Sequence, residues 1–159
     1  YNVVEAEIAK EPSIRLPKRP NEEKFVGSSI QFNLPDWSNE TIKKFIAEAA
    51  SRGVELKWFG APQPVGFTST YRSWTYAEPQ ELADTDEVLR TLCDMRLPLT
   101  FTLDDCKIIG EIIRDCAHLV SESLRNQREK NRHIGRYGSR GNRRANASDN
   151  CRNAGSRRR

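Results

Sequence analysis

Between Ser28 and Phe59 the hydrophobic period changes twice, and that alternation restricts the chain to folds that lay helices on a small sheet. From Ser28 to Leu34 the apolar residues alternate. Ile30, Phe32 and Leu34 point one way, Gln31 and Asn33 the other, and Pro35 ends the run. Ile42, Phe45, Ile46, Ala49 and Ala50 then recur at the spacing of one helix face, with Lys43, Lys44 and Glu48 off it. Asp36 or Ser38 can cap this helix by accepting from unpaired backbone N–H groups. Gly53 suits the left-handed residue that closes it. From Val54 to Phe59 the alternation returns as a second strand, with Val54, Leu56 and Trp58 on one face.

The flanking segments complete the order. Val3, Val4 and Ile8 read as the end of a longer helix, which Pro12, Pro17 and Pro20 break, so residues 1–27 are expected to be a connector from a large domain that lies outside this chain. The sequence opens at Tyr1 in what reads as structured chain, and a truncated start is expected. Asp84, with Glu87 three residues on, approximates a capping box for a helix whose apolar stripe is Val88, Leu89, Leu92 and Cys93. Leu97 to Phe101 reads as a short extended piece, placed at a sheet edge by Pro98. Thr102 caps a last helix, Asp104 and Asp105 suit its dipole, and Cys106, Ile109, Ile112, Ile113, Cys116 and Val120 line its buried side. Residues 28–124 are therefore expected to form a small α/β domain of the α+β kind, a small sheet covered by helices.

Composition divides at about Leu124. Residues 125–159 carry 12 Lys or Arg and 2 Asp or Glu, which leaves 14 basic and 20 acidic residues for the rest. The basic balance thus belongs to the tail, and the body gives no reason to invoke nucleic acid as a partner. The tail, with Ile134 and Tyr137 nearly alone as large apolar groups, is expected to be disordered. No run of apolar residues is long enough to cross a bilayer and no leader pattern is visible, so a cytoplasmic protein with no membrane contact is expected.

The sequence excludes several chemistries. Cys93, Cys106, Cys116 and Cys151 form no C-x-x-C pair, and His118 and His133 are the only histidines, so no metal site is expected. The first three cysteines are read as small buried apolar groups on helix faces. No Ser/His/Asp or Cys/His set suggests a hydrolase.

The stretch from Gly60 to Ala83 has no periodicity, and long connections of this kind are often functional. The span Trp58 to Tyr76 holds six of the chain's thirteen aromatic residues, which makes it the place to seek a ligand-facing surface. Its candidates are Lys57, Trp58, Phe59, Arg72 and Trp74. Lys57 reads either as a contact to an anionic substrate group or as an exposed strand residue. Arg72, between Tyr71 and Trp74, reads either as a bidentate partner for a carboxylate or phosphate or as a surface arginine. Trp58, Phe59 and Trp74 can stack on a sugar or base, although Trp58 shares a face with Val54 and Leu56 and suits the core.

Three ordered stretches carry a family resemblance. They are Ile14-Arg15-Leu16-Pro17 through Ser28-Ser29-Ile30-Gln31-Phe32, then the helix ending in Arg52-Gly53-Val54-Glu55 with its aromatic and proline-containing loop, then Cys93-Asp94-Met95-Arg96-Leu97-Pro98-Leu99 followed by Thr102-Leu103-Asp104-Asp105-Cys106. Residues 1 to about 120 resemble the C-terminal portion of the DegT/DnrJ/StrS family of pyridoxal-phosphate (PLP) sugar aminotransferases. The resemblance implies the small domain of a type I aminotransferase fold, a homodimer, and transfer of an amino group from an amino acid to a keto-sugar, often nucleotide-linked. It implies that PLP is held mainly by the large domain, through a lysine Schiff base. None of the eight lysines here stands in a matching context, so this chain alone is expected to be inactive. Many family members place a histidine just after the second strand, where this chain has Lys57-Trp58-Phe59-Gly60. The competing reading is a small interaction or nucleic-acid-binding protein that uses the basic tail.

Overall fold

The computed structural model describes residues 1–63, 72, 75, 76, 78 and 80–149, with side chains described through residue 132. Two units are distinguished, Tyr1–Ser121 and Glu122–Arg159. The first is a mixed α/β domain. Its elements in chain order are α1 (Asn2–Ile8), β1 (Ser29–Asn33), α2 (Asn39–Ser51), β2 (Lys57–Trp58), α3 (Ala83–Thr91), β3 (Leu92–Arg96) and α4 (Leu103–Asp149). The last helix begins in this unit, and its later residues supply the described part of the second.

The three strands form one antiparallel sheet in the order β1-β3-β2. Phe32 and Trp58 both stand opposite Cys93, while Gln31 and Lys57 both stand opposite Asp94. Since side chains alternate along a strand, the sheet has one apolar and one polar face. Ile30, Phe32 and Cys93 are fully buried on the apolar face, with Trp58 and Met95 nearly so beside them. Ile42, Phe45 and Ala49 from α2, Ile113, Cys116 and Ala117 from α4, and Val4 and Ile8 from α1 are also fully buried.

Local chemistry explains most of the boundaries. Ser38 is the N-cap of α2, its hydroxyl accepting from the Thr41 N–H at 3.3 Å. Gly53 closes the helix at φ +85°, with open space around it, so its role is conformational. At the start of α4, Thr102 Oγ1 accepts from the Asp105 N–H at 3.1 Å, and the Asp105 carboxylate accepts from the Thr102 N–H at 2.9 Å. This reciprocal arrangement satisfies two helix-end donors, and the Thr102 hydroxyl and N–H hold the Asp105 carboxyl below the usual range.

The structure corrects the sequence reading in five places. The second strand is Lys57–Trp58 alone, where Val54 to Phe59 was expected. Leu92 and Cys93 do not extend the α3 stripe. The helix ends at Thr91, and both residues enter β3. Their spacing suits either element, and β3 fills the place between two strands, where ladders on both sides satisfy its backbone. The edge piece expected at Leu97 to Phe101 is not a strand: β3 ends at Arg96, after which the Leu97 N–H donates to Ser28 O at 2.8 Å, a bond Pro98 cannot extend. The expected box at Asp84 is not formed. The N-cap of α3 is Leu82 without a side-chain bond, and Glu87 pairs with Arg90. Finally, α4 runs to Asp149, through positions where no element was expected. Residues 125–149 contain no proline and are rich in Arg, a good helix former.

The N-terminal segment is built into the first unit. The Arg15 N–H donates to Asn33 O at 2.8 Å, extending the ladder beyond β1. Gly110 lets α1 approach α4, since a Cβ there would lie 2.7 Å from Glu7 Cβ. Glu7 then accepts from Lys10 and from Arg114, each at 2.7 Å, and Glu11 faces His118 Nδ1 at 3.3 Å. The Lys10 hydrogen bond, aided by the charges of Lys10, Arg114 and Lys107, holds the Glu7 carboxyl below its usual range. A carboxyl with a lowered folded-state pKa stabilises above its unfolded value, and that contribution is lost as pH falls through the folded value. Melting temperature is thus expected to drop below the ordinary carboxylate range, and Glu7→Gln should flatten that acid limb in thermal melts. An unchanged limb in the variant would remove Glu7 from the account.

Cys93, Cys106 and Cys116 are buried free thiols, as read from the sequence, although Cys93 lies on a strand rather than a helix. Burial, and then the Asp94 charge, push the Cys93 thiol up to about 12, and burial raises Cys116 as well. Iodoacetamide at about pH 8 is expected to leave both unmodified until denaturant is added, as read by peptide mass mapping. Rapid native-state labelling of Cys93 would contradict the packing described here. Cys151 lies outside the described residues.

Candidate functional site

The site grows out of the turn that follows β2. The Phe59 N–H donates to Leu92 O at 3.0 Å, one last bond to β3, and the chain then turns through Gly60, Ala61 and Pro62. This turn faces α3 across a cleft of about 610 Å³. Phe59 and Arg72 line it together with Asp86, Glu87, Leu89 and Arg90 of α3.

Trp58 and Arg90 fix the turn against α3. Trp58 is 7% exposed, and its indole N–H donates to Arg90 O at 2.8 Å. The Arg90 side chain donates to Trp37 O at 3.2 Å and Pro35 O at 3.4 Å, and to Glu87 at 3.0 Å. One residue therefore ties α3 to the turn before α2 and, through its carbonyl, to β2. The same contact with Glu87 raises the Arg90 guanidinium and holds the Glu87 carboxyl below its usual range. Gly60 sits where no side chain fits, because a Cβ would stand 2.4 Å from Arg90 O and 2.7 Å from Trp58 Nε1.

Of the five residues singled out in the sequence, the structure brings Phe59 and Arg72 to the cleft. Arg72 is paired with Asp86, with its side chain still 63% exposed. Trp58 belongs to the core face and supports the cleft from behind. Lys57, half-buried, lies on the polar face of the sheet opposite Asp94. Trp74 lies outside the described residues. Sequence reading missed Arg90 and Gly60. Glycine before a proline-containing turn was a visible signal for the second, and nothing local distinguishes the first.

In chemical terms the cleft brings together an aromatic ring and two guanidinium–carboxylate pairs, Arg72 with Asp86 and Arg90 with Glu87, of which Arg72 stays largely exposed and can meet a further polar group. It does not fit PLP on its own. Among the described residues its lining has no lysine for a Schiff base, and Lys10, Lys18, Lys24, Lys43, Lys44, Lys107 and Lys130 are exposed. Among the described residues no group of three His, Cys, Asp or Glu side chains could hold a metal ion, and no helix is long and apolar enough to cross a membrane. Comparisons with protein-family models, with curated proteins and with solved structures find no match.

Proposed function

We propose that this chain is the C-terminal small domain of a PLP-dependent aminotransferase of the DegT/DnrJ/StrS kind, and that it supplies a substrate-side wall to a cofactor-bearing large domain. The observation that supports this reading is the cleft at the β2–α3 joint, whose described lining includes Phe59 and Arg72 and no lysine. A domain of that composition binds and orients; it does not form the Schiff base. PLP, bound in the large domain, supplies the electron sink for amino transfer to a keto-sugar. Arg72, still largely exposed beside Asp86, suits an anionic substituent of that substrate, and Phe59 suits a ring. The assembly proposed is a homodimer of the full-length enzyme.

The coding sequence upstream of Tyr1 tests the proposal. The expected result is an open frame that continues into a large domain carrying a lysine suited to PLP. A start codon placed at Tyr1 would overturn the enzyme reading. PLP mixed with this chain alone should give no stable Schiff-base absorbance band, and such a band would refute the division of labour.

A further inference from the structure

Residues 125–149 continue α4, so a helix arranges their charge. They carry eight Lys or Arg against two acids, Glu129 and Asp149. Arg125, Arg128, Arg132, Arg136, Arg140 and Arg143 follow one another at steps of three or four residues. At 3.6 residues per turn, all six positions fall within about 120° of the circumference, in a row about 27 Å long. An irregular chain would disperse these charges. The helix gathers them on one face.

The part of the row whose side chains are described is exposed: Arg125, Arg128 and Arg132. Arg125 lies 3.6 Å from Glu122, with its side chain still 65% exposed, and a surface pair of this kind contributes little. Arg128 and Arg132 have no ion-pair partner among the described residues. The row also works against its own helix. Like charges four residues apart repel, and Gly135, Gly138 and Gly141 each weaken a helix interior. For the described residues, neither packing nor pairing accounts for the row.

We infer that this face of α4 is a docking surface for duplex DNA, held through the phosphates. Charge complementarity calls for a polyanion, and four further observations narrow it. The row is all arginine, whose planar fork meets phosphate oxygens two at a time. Its even spacing matches a partner whose charges also repeat, as duplex phosphates do. A membrane-surface helix needs an apolar face opposite its charges, and in residues 126–149 only Ile134 and Tyr137 are large and apolar. Single strands are gripped by stacking aromatics, and Tyr137 stands alone in that role. Between duplexes, groove width decides. The major groove of B-DNA, about 12 Å wide, admits an α-helix, and a helix of this length reaches phosphates on both walls; that of A-form RNA is too narrow. Residues 1–124, with 14 basic and 20 acidic residues, do not attract DNA, so binding falls to this helix. The inference is independent of the aminotransferase reading, and neither fails with the other.

The test is fluorescence anisotropy of a short, labelled, mixed-sequence DNA duplex titrated with the whole chain. Affinity should fall with salt at a log–log slope of about −5, as for six neutralised phosphates. Arg128→Gln, Arg132→Gln, Arg136→Gln and Arg140→Gln together should reduce the slope to about −2 and weaken binding by roughly tenfold or more. Equal charge removed beyond Asp149, by Arg152→Gln, Arg157→Gln, Arg158→Gln and Arg159→Gln, should cost less than about threefold. Asn131→Pro keeps every charge but interrupts the helix within the row, and should weaken binding by roughly tenfold. All these positions lie in the second unit, so the thermal melt of the first should be unchanged. Equal losses from the two fourfold variants, unweakened binding by Asn131→Pro, or equally tight binding to duplex RNA or to anionic phospholipid vesicles would each overturn the inference.

Discussion

Phe45→Ala is expected to lose about 3–5 kcal/mol of folding stability, the largest effect of any single truncation considered. Phe45 is fully buried at the centre of α2. Its ring meets Phe32 of β1 at 6.2 Å and Trp37 at 5.5 Å between centroids, both edge to face. One side chain therefore joins the helix, the sheet and the turn between them. Its removal forfeits the transferred apolar surface and leaves a cavity bounded by strand and helix backbones that cannot collapse onto it. For a small domain, a loss of that size is a large part of the whole stability, so many molecules should be unfolded at physiological temperature. Urea denaturation followed by tryptophan fluorescence measures it, with Trp37 as a reporter at the site. Phe45→Leu should cost clearly less. A loss below about 1 kcal/mol in the alanine variant would show that α2 is not seated on the sheet as described.

What was legible in the sequence is what is decided within a few residues. The Ile30–Phe32 alternation, the cap narrowed to Asp36 or Ser38, the left-handed Gly53 and the Thr102 start of α4 all rest on local periodicity or on a side chain bonded to a backbone group nearby. The errors concern elements whose state is decided from a distance. Leu92 and Cys93 fit a helix stripe with Val88 and Leu89, and only pairing with β1 and β2 makes them a strand. Asp84 has the right residue type for a cap, but Asp86 and Glu87 are engaged by Arg72 and Arg90. At the site, Phe59 and Arg72 were accessible through composition, since aromatic, glycine and proline residues crowd one long connection. Arg90 was not. Arg90 matters through carbonyl and guanidinium partners more than 30 residues away, which no local pattern reveals.

Gly60→Ala is expected to cost about 1–3 kcal/mol and to open the joint between β2 and α3 that the cleft depends on. Gly60 does not have a positive φ, so backbone conformation is not what excludes alanine. Space is. The new methyl would lie 2.4 Å from Arg90 O and 2.8 Å from Arg90 C, which are backbone atoms of a helix and cannot swing aside. Either α3 or the turn must move. Each route stretches the Trp58 indole bond to Arg90 O, now 2.8 Å, and leaves a donor in a side chain that is 7% exposed. Hydrogen exchange at the Trp58 indole should therefore accelerate along with the fall in stability. Trp58→Phe separates the two contributions. If the helix backbone is the true obstacle, Gly60→Ala should remain costly in the Trp58→Phe background, because Arg90 O is still in place. If its cost there falls to near zero, the obstacle was the indole, and α3 is less firmly fixed to the cleft floor than the Arg90 contacts require. A double-mutant cycle reads the difference directly, since the residues touch and their effects should not add.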